Sequence, residues 1–100
     1  MLIVAGTIQV DPDSRDAATD ALLEMMRETR KEPGNLEYAF TPDLADPGLL
    51  RIFEQWESQE ALDAHFAAPH MAAFQKAIAG FSIKGMSVEK FEVKSSGPVR

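Results

Sequence analysis

The sequence predicts an α+β fold, a ferredoxin-like βαββαβ domain with one four-stranded antiparallel sheet. Three observations carry this. Alternating apolar residues mark strands at Leu2–Val10, Leu36–Thr41, Leu49–Glu57 and Met86–Val93. Apolar residues at helical spacing fill the segments between the first and second strands and between the third and fourth. The resulting order is that of the split βαβ motif. A chain of 100 residues makes one such domain, read here as residues 1–94 with a short tail, 95–100.

The first strand places Leu2, Val4, Ile8 and Val10 on one face and Ile3, Ala5 and Thr7 on the other. Gly6 lies between them, where either a close backbone approach or a packing gap under a helix suits a residue without a side chain. Asp11-Pro12-Asp13-Ser14 breaks the strand, and Asp13 with Asp16 reads as a capping pair for the first helix. Ala18, Ala21, Leu22, Met25 and Met26 form that helix's apolar stripe, which Pro33-Gly34 ends near Lys31. Leu36, Tyr38 and Phe40 then alternate with Glu37, Ala39 and Thr41.

The third strand puts Leu50, Ile52, Glu54 and Trp56 on one face and Leu49, Arg51, Phe53 and Gln55 on the other. Ser58 is the expected N-cap of the next helix. Ala61, Leu62, His65 and Phe66 follow in two adjacent rows. Pro69 interrupts, and Met71, Phe74 and Ile78 extend the apolar face to Gly80. In the last strand the apolar phase shifts between Val88 and Phe91, which predicts either a bulge or a change of covering layer there. The first and third strands, central in this topology, are apolar on both faces. A sheet with helices on one side only leaves such a face uncovered, and the simplest closure is a two-fold homodimer packed sheet to sheet, a dimeric α/β-barrel assembly.

Composition narrows the function. The net charge of −6 and pI of about 4.8 disfavour nucleic acid and anionic membrane as partners. No cysteine is present, so disulfides, thiolate nucleophiles and cysteine metal sites are excluded. Leu2–Ala5 is too short for a signal sequence and no run approaches a membrane span, so a soluble, cytoplasmic protein is expected. No Gly-rich phosphate loop or nucleophile elbow occurs.

The residues that remain are few. His65, aimed from a helix into a small apolar core, is either a general acid/base or anion donor, or a core-edge histidine bonded to a carbonyl. Trp56 is a pocket wall or plain core, and Tyr38 a ligand donor or a structural hydroxyl. Glu54 must be paired, hydrogen-bonded or neutral if buried, and an interfacial ion pair with a second subunit is the simplest explanation. His65 and His70 are split by Pro69 and do not fall at i, i+4 on one helix, so no metal site is expected of the pair.

Several segments together carry a family likeness. They are Ile3-Val4-Ala5-Gly6-Thr7 with Val10 and the Asp-Pro turn, then Glu32-Pro33-Gly34-Asn35 before the Tyr-bearing strand. Phe53-Glu54-Gln55-Trp56-Glu57-Ser58 follows, and then Ala64-His65-Phe66 with Pro69-His70 and Phe74. In order and spacing the chain resembles the antibiotic biosynthesis monooxygenase (ABM) domains over nearly its whole length. The resemblance implies a dimer of βαββαβ subunits and a cofactor-independent oxidation of quinols or related phenols by molecular oxygen. It implies His65 as base or anion stabiliser, Trp56 and Tyr38 as substrate contacts, and Phe66 and Phe74 as further contacts, with no metal or flavin. Relatives that degrade haem need a histidine near the position of Gln75, which cannot serve as an axial ligand. The rival expectation is a non-catalytic, dimeric small-molecule-binding protein of the same fold. An open cavity with His65 at its wall favours the enzyme, and a cavity filled by Met25, Phe40, Phe66 and Phe74 favours the rival.

Overall fold

Alternation decides the centre of the sheet. In β1 (Leu2–Val10), Leu2, Val4, Ile8 and Val10 are buried under the helices, and the residues between them are part-exposed on the far face. The computed structural model describes every residue from Met1 to Arg100. β1 pairs antiparallel with β3 (Leu49–Trp56) on one side and β4 (Ile83–Glu92) on the other, and β3 pairs with β2 (Asn35–Pro42). The strand order is therefore β2-β3-β1-β4, with α1 (Pro12–Thr29), α2 (Gln59–Phe66) and α3 (Pro69–Ile78) on one face. This is the expected ferredoxin-like fold, with its second helical segment broken in two. Pro69 makes the break, since it cannot supply the N–H that would carry α2 onward.

The core lies between that helical layer and the inner sheet face. Leu22 and Met25 of α1 meet Val4, Ile8, Leu50, Ile52 and Trp56, and Leu62 of α2 joins them. None of the helices is long and apolar enough to cross a membrane. On the outer face Ile3 lies opposite Phe91, and Phe53 lies between Ala5 and Ala39. Phe53 and Phe91 stay 36% and 49% exposed there.

Local chemistry moves some boundaries. The cap of α1 is Asp11, not Asp13: its side chain accepts the Asp13 N–H at 3.0 Å. Pro12 is the cause, because its fixed φ and missing N–H suit the first helical position and draw the start forward. Ser58 caps α2 as expected, accepting the Ala61 N–H at 3.2 Å. β4 begins at Ile83, three residues before the expected start, and it has no bulge between Val88 and Phe91. Its register with β1 runs unbroken there; Val88 faces inward opposite Gly6, and Phe91 faces outward opposite Ile3. The polar Lys90 and Glu92 occupy inward positions of an edge strand that the helices do not fully cover, which imitates a phase change. The true irregularity falls between Gln9 and Val10.

Gly6 answers to a close backbone approach. A Cβ there would lie 2.0 Å from the Ser87 carbonyl oxygen and 2.6 Å from Val88 Cα, so β4 would have to move. Gly6→Ala is expected to destabilise the fold by about 2 kcal/mol or more through this overpacking. Urea unfolding of the two proteins checks it, and equal midpoints would refute the contact.

Candidate functional site

The site begins with a turn. After α1 the chain runs through Glu32-Pro33-Gly34, and Gly34 takes a φ of +85°, a conformation glycine adopts without penalty. Space makes the same demand, since a Cβ on Gly34 would sit 2.6 Å from the Ala61 Cβ of α2. This close docking of turn on helix sets Glu32 opposite the last turn of α2, where His65 points inward.

The His65 ring is 1% exposed, and its Nδ1 lies 2.6 Å from Glu32 Oε2. A carboxylate oxygen accepts, so the Nδ1–H donates and the Nε2 lone pair becomes the proton-accepting side of the ring. His70, one residue into α3 after Pro69, places its Nε2 3.1 Å from the same Glu32 oxygen. As expected, Pro69 puts the two histidines on different helices and not on one face. They meet not along a helix face but through a glutamate more than 30 residues away in sequence.

Aromatic rings frame the imidazole. Trp56 lies 4.8 Å from it, Tyr38 5.5 Å in an edge contact and Phe66 5.6 Å, centroid to centroid. Trp56 is fully buried, and its Nε1–H donates to Glu54 Oε1 at 2.9 Å. Glu54 therefore has an intrachain partner on the inner face, not an ion pair across a subunit interface as expected. The Thr29 hydroxyl is also fully buried near Tyr38, without a hydrogen bond of standard geometry.

A cavity of about 220 Å³ opens between the sheet and the α2–α3 layer. Tyr38, Phe40, Glu54, His65, Phe66, Met71 and Phe74 line it. Phe66 and Met86, each 59% exposed, stand where the cavity meets the surface, and Phe74 stacks on Phe40 at 5.8 Å. Tyr38, His65, Phe66 and Phe74 are thus brought together on one wall system. Trp56 is not among them: it backs the His65 ring and does not reach the cavity. Glu32 carries no local sequence signal for a role in the site beyond its place in the Glu-Pro-Gly turn. A buried histidine's need for a partner was the signal that pointed to such an acid.

Burial governs the electrostatics. Desolvation holds the His65 pKa below its ordinary value, over the opposing pull of Glu32, so the ring is neutral near pH 7. Desolvation also raises Tyr38 far above the usual phenol range, with the Glu54 and Glu32 charges adding to it, so its hydroxyl stays protonated. Glu54 is pushed up to about 7 by burial, against the stabilising Trp56 hydrogen bond. An apolar cavity thus presents a neutral imidazole, a phenol donor and a carboxyl poised near neutrality.

A protein-family model described as "Antibiotic biosynthesis monooxygenase" matches residues 1–77. The "Probable quinol monooxygenase YgiN" of Escherichia coli K12 is 33% identical over 90 residues, covering 80% of this chain and 86% of that protein. The uncharacterized protein sll1783 of Synechocystis is 33% identical over 73 residues, 73% of this chain. That match spans only 50% of the Synechocystis protein's length. Among solved structures, a Deinococcus radiodurans protein bearing the same family description superimposes with a TM-score of 0.91 at 24% identity, covering 100% of this chain and 99% of that one. Rv0793 of Mycobacterium tuberculosis gives 0.85 at 25% identity, covering 97% and 98%.

The raised Glu54 pKa makes a prediction for stability. Unfolded, the carboxyl ionises near 4.5; folded, near 7. Between these values the folded state holds a proton that the unfolded state has lost. Stability therefore falls as pH rises through this window and levels off above it. Glu54→Gln, which keeps an acceptor for Trp56, is expected to flatten that slope and to gain about 2 to 3 kcal/mol at pH 8. Urea midpoints between pH 5 and 8 check it, and parallel profiles would show that Glu54 ionises normally.

Proposed function

This chain belongs to the antibiotic biosynthesis monooxygenase family, and from that premise we propose that it is a cytoplasmic, homodimeric monooxygenase that oxidises quinols or related phenols with molecular oxygen and no cofactor. The observation that carries the reading is His65 in the cavity wall, its Nδ1–H held by Glu32 at 2.6 Å. A neutral imidazole fixed in that way offers Nε2 as a base to a ligand hydroxyl.

Triplet oxygen reacts slowly with closed-shell molecules, but an electron-rich phenolate can pass it one electron. In the proposed cycle His65 takes the substrate's O–H proton. The phenolate reduces oxygen to superoxide, and the radical pair joins to form a C–O bond. His65 returns its proton to the peroxide anion, and the resulting hydroperoxide loses water as its O–O bond and the hydrogen on the same ring carbon are lost, leaving a carbonyl. For a hydroquinone the balance is quinol plus O₂ to hydroxyquinone plus water; the substrate supplies all the electrons. The apolar walls keep the charged intermediates from bulk water, and Tyr38 is the donor suited to a developing oxyanion.

Size constrains the substrate. An apolar cavity of about 150 Å³ takes a single benzene ring, so 220 Å³ suits one or two fused rings. Phe66 and Phe74 supply the aromatic contacts in this reading. Trp56, being sealed behind His65, supports the site from outside it.

Oxygen uptake with a panel of hydroquinones, naphthohydroquinones and anthrones tests the reading. His65→Ala is expected to lose about 100-fold or more of the rate, the usual worth of a general base. Equal rates in the two proteins remove His65 from the chemistry, and ligand binding without any uptake favours the non-catalytic rival. The homodimer is tested separately through the outer face. Phe53→Asp is expected to shift the protein to monomer in sedimentation at micromolar concentration, because it sets a charge in the apolar patch with Ala5 and Ala39. An unchanged mass would place the contact elsewhere.

A further inference from the structure

Glu32, His65 and His70 form more than a hydrogen-bonded trio. The three come from separate segments: the turn after α1, the last turn of α2 and the first turn of α3. Their donor atoms, one carboxylate oxygen and two imidazole nitrogens, all lie within 4.8 Å of one another. A tetrahedral ion with bonds of about 2.0–2.1 Å holds its ligands roughly 3.3 Å apart. The two contacts to Glu32, 2.6 and 3.1 Å, fall just below that spacing, and the two histidine nitrogens lie within 4.8 Å of each other. Small ring rotations and the second carboxylate oxygen close the difference.

Two further features fit a cation. Glu32 has no lysine or arginine partner, although the two residues before it in sequence are basic. Lys31 pairs with Glu28 at 3.3 Å, and Arg30 donates from Nε to the Tyr38 carbonyl at 3.0 Å. The cluster is also reachable: the side chains of His70 and Glu32 stay 20% and 13% exposed, beside the buried His65. An ion would enter past His70 and keep its fourth position toward solvent. Two imidazoles with one carboxylate form a donor set for zinc-type divalent ions, not for calcium or magnesium.

We propose that Glu32, His65 and His70 bind a divalent transition-metal ion of the zinc type. The positive end of α3 lies beside His70 and opposes the ion, so micromolar affinity is expected, not the affinity of a structural zinc site. Coordination through Nδ1 moves the only N–H of the neutral His65 ring to Nε2, on the opposite side. The proton acceptor becomes a donor, so the ion would switch off a base at this position. That consequence rests on the role of His65 proposed above; the site itself does not.

Titration of the tag-free protein with Co²⁺ tests the site. The expected result is a visible d–d band saturating at one ion per chain and erased by Zn²⁺, which binds more tightly. His70→Ala, at a partly exposed position, is expected to weaken the band's midpoint about tenfold or more, with an unchanged circular dichroism spectrum; Glu32→Gln should do the same. No band at millimolar Co²⁺, or a band unaltered in His70→Ala, overturns the proposal. Oxygen uptake measured with and without saturating Zn²⁺ separates the two readings. A bound ion that leaves the rate untouched keeps the site and removes His65 as base.

Discussion

A buried imidazole must have a partner, and the Glu32–His65 hydrogen bond is the constraint on which this site rests. His65 stands 1% exposed in an aromatic shell, where an unpaired polar nitrogen costs on the order of 1–3 kcal/mol. The partner arrives from the Gly34 turn, and that turn exists because α1 ends at Thr29 and Gly34 tolerates a positive φ against Ala61. The backbone geometry at one glycine therefore sets the tautomer of a ring on another element. Without that contact Nδ1 and Nε2 would be equivalent in their need for a donor or acceptor, and the ring would have no fixed side from which to accept a proton.

Two effects compete at that ring. Glu32 favours the imidazolium, as any adjacent carboxylate does, and burial disfavours it; burial wins. The outcome matters chemically, since an imidazolium is no base. The contact thus acts chiefly by orienting the ring and only secondarily through charge. Trp56 works in the same spirit from behind. Its indole packs on His65 at 4.8 Å and spends its one donor on Glu54, so a side chain that never reaches the cavity braces two that do.

Periodicity made the architecture readable. β1 and β3 announce themselves by alternation, Ser58 by its place before an apolar helical row, and Gly6 by being the lone gap in a strand. Where periodicity is silent or misleading the reading slipped. Lys90 and Glu92 sit inward at a poorly covered edge, so polarity reported exposure and not facing. Pro12 moved the helix start because its missing N–H outweighs the pairing of Asp13 with Asp16. The site was half legible: Tyr38, His65, Phe66 and Phe74 lie on apolar faces that a sequence reveals, and they share the cavity. The Glu32 contact, a loop acid meeting a helix residue 33 positions later, leaves no local pattern. Trp56 and Glu54 share a strand face with Ile52, yet Glu54 lines the void while Trp56 is covered by the His65 ring, a tertiary contact that no strand pattern encodes.

The polar content of this core argues for use over support. A domain of 100 residues has little stability to spare. Leucine or methionine at positions 54 and 65 would pack without needing a partner, and replacing buried polar pairs by apolar residues is commonly neutral or stabilising. Instead the chain keeps a carboxyl pushed up to about 7 and a histidine against a second acid, both on the wall of an open void. Local inconsistency of this sort, concentrated in one cavity while the rest of the core is aliphatic and aromatic, is where a fold carries chemistry. Supporting residues stand outside the void and reacting candidates stand on its wall. On the proposed reading, that division makes Glu32 and Trp56 positioning residues, and His65, Tyr38 and Glu54 the groups on the cavity wall that a ligand would meet.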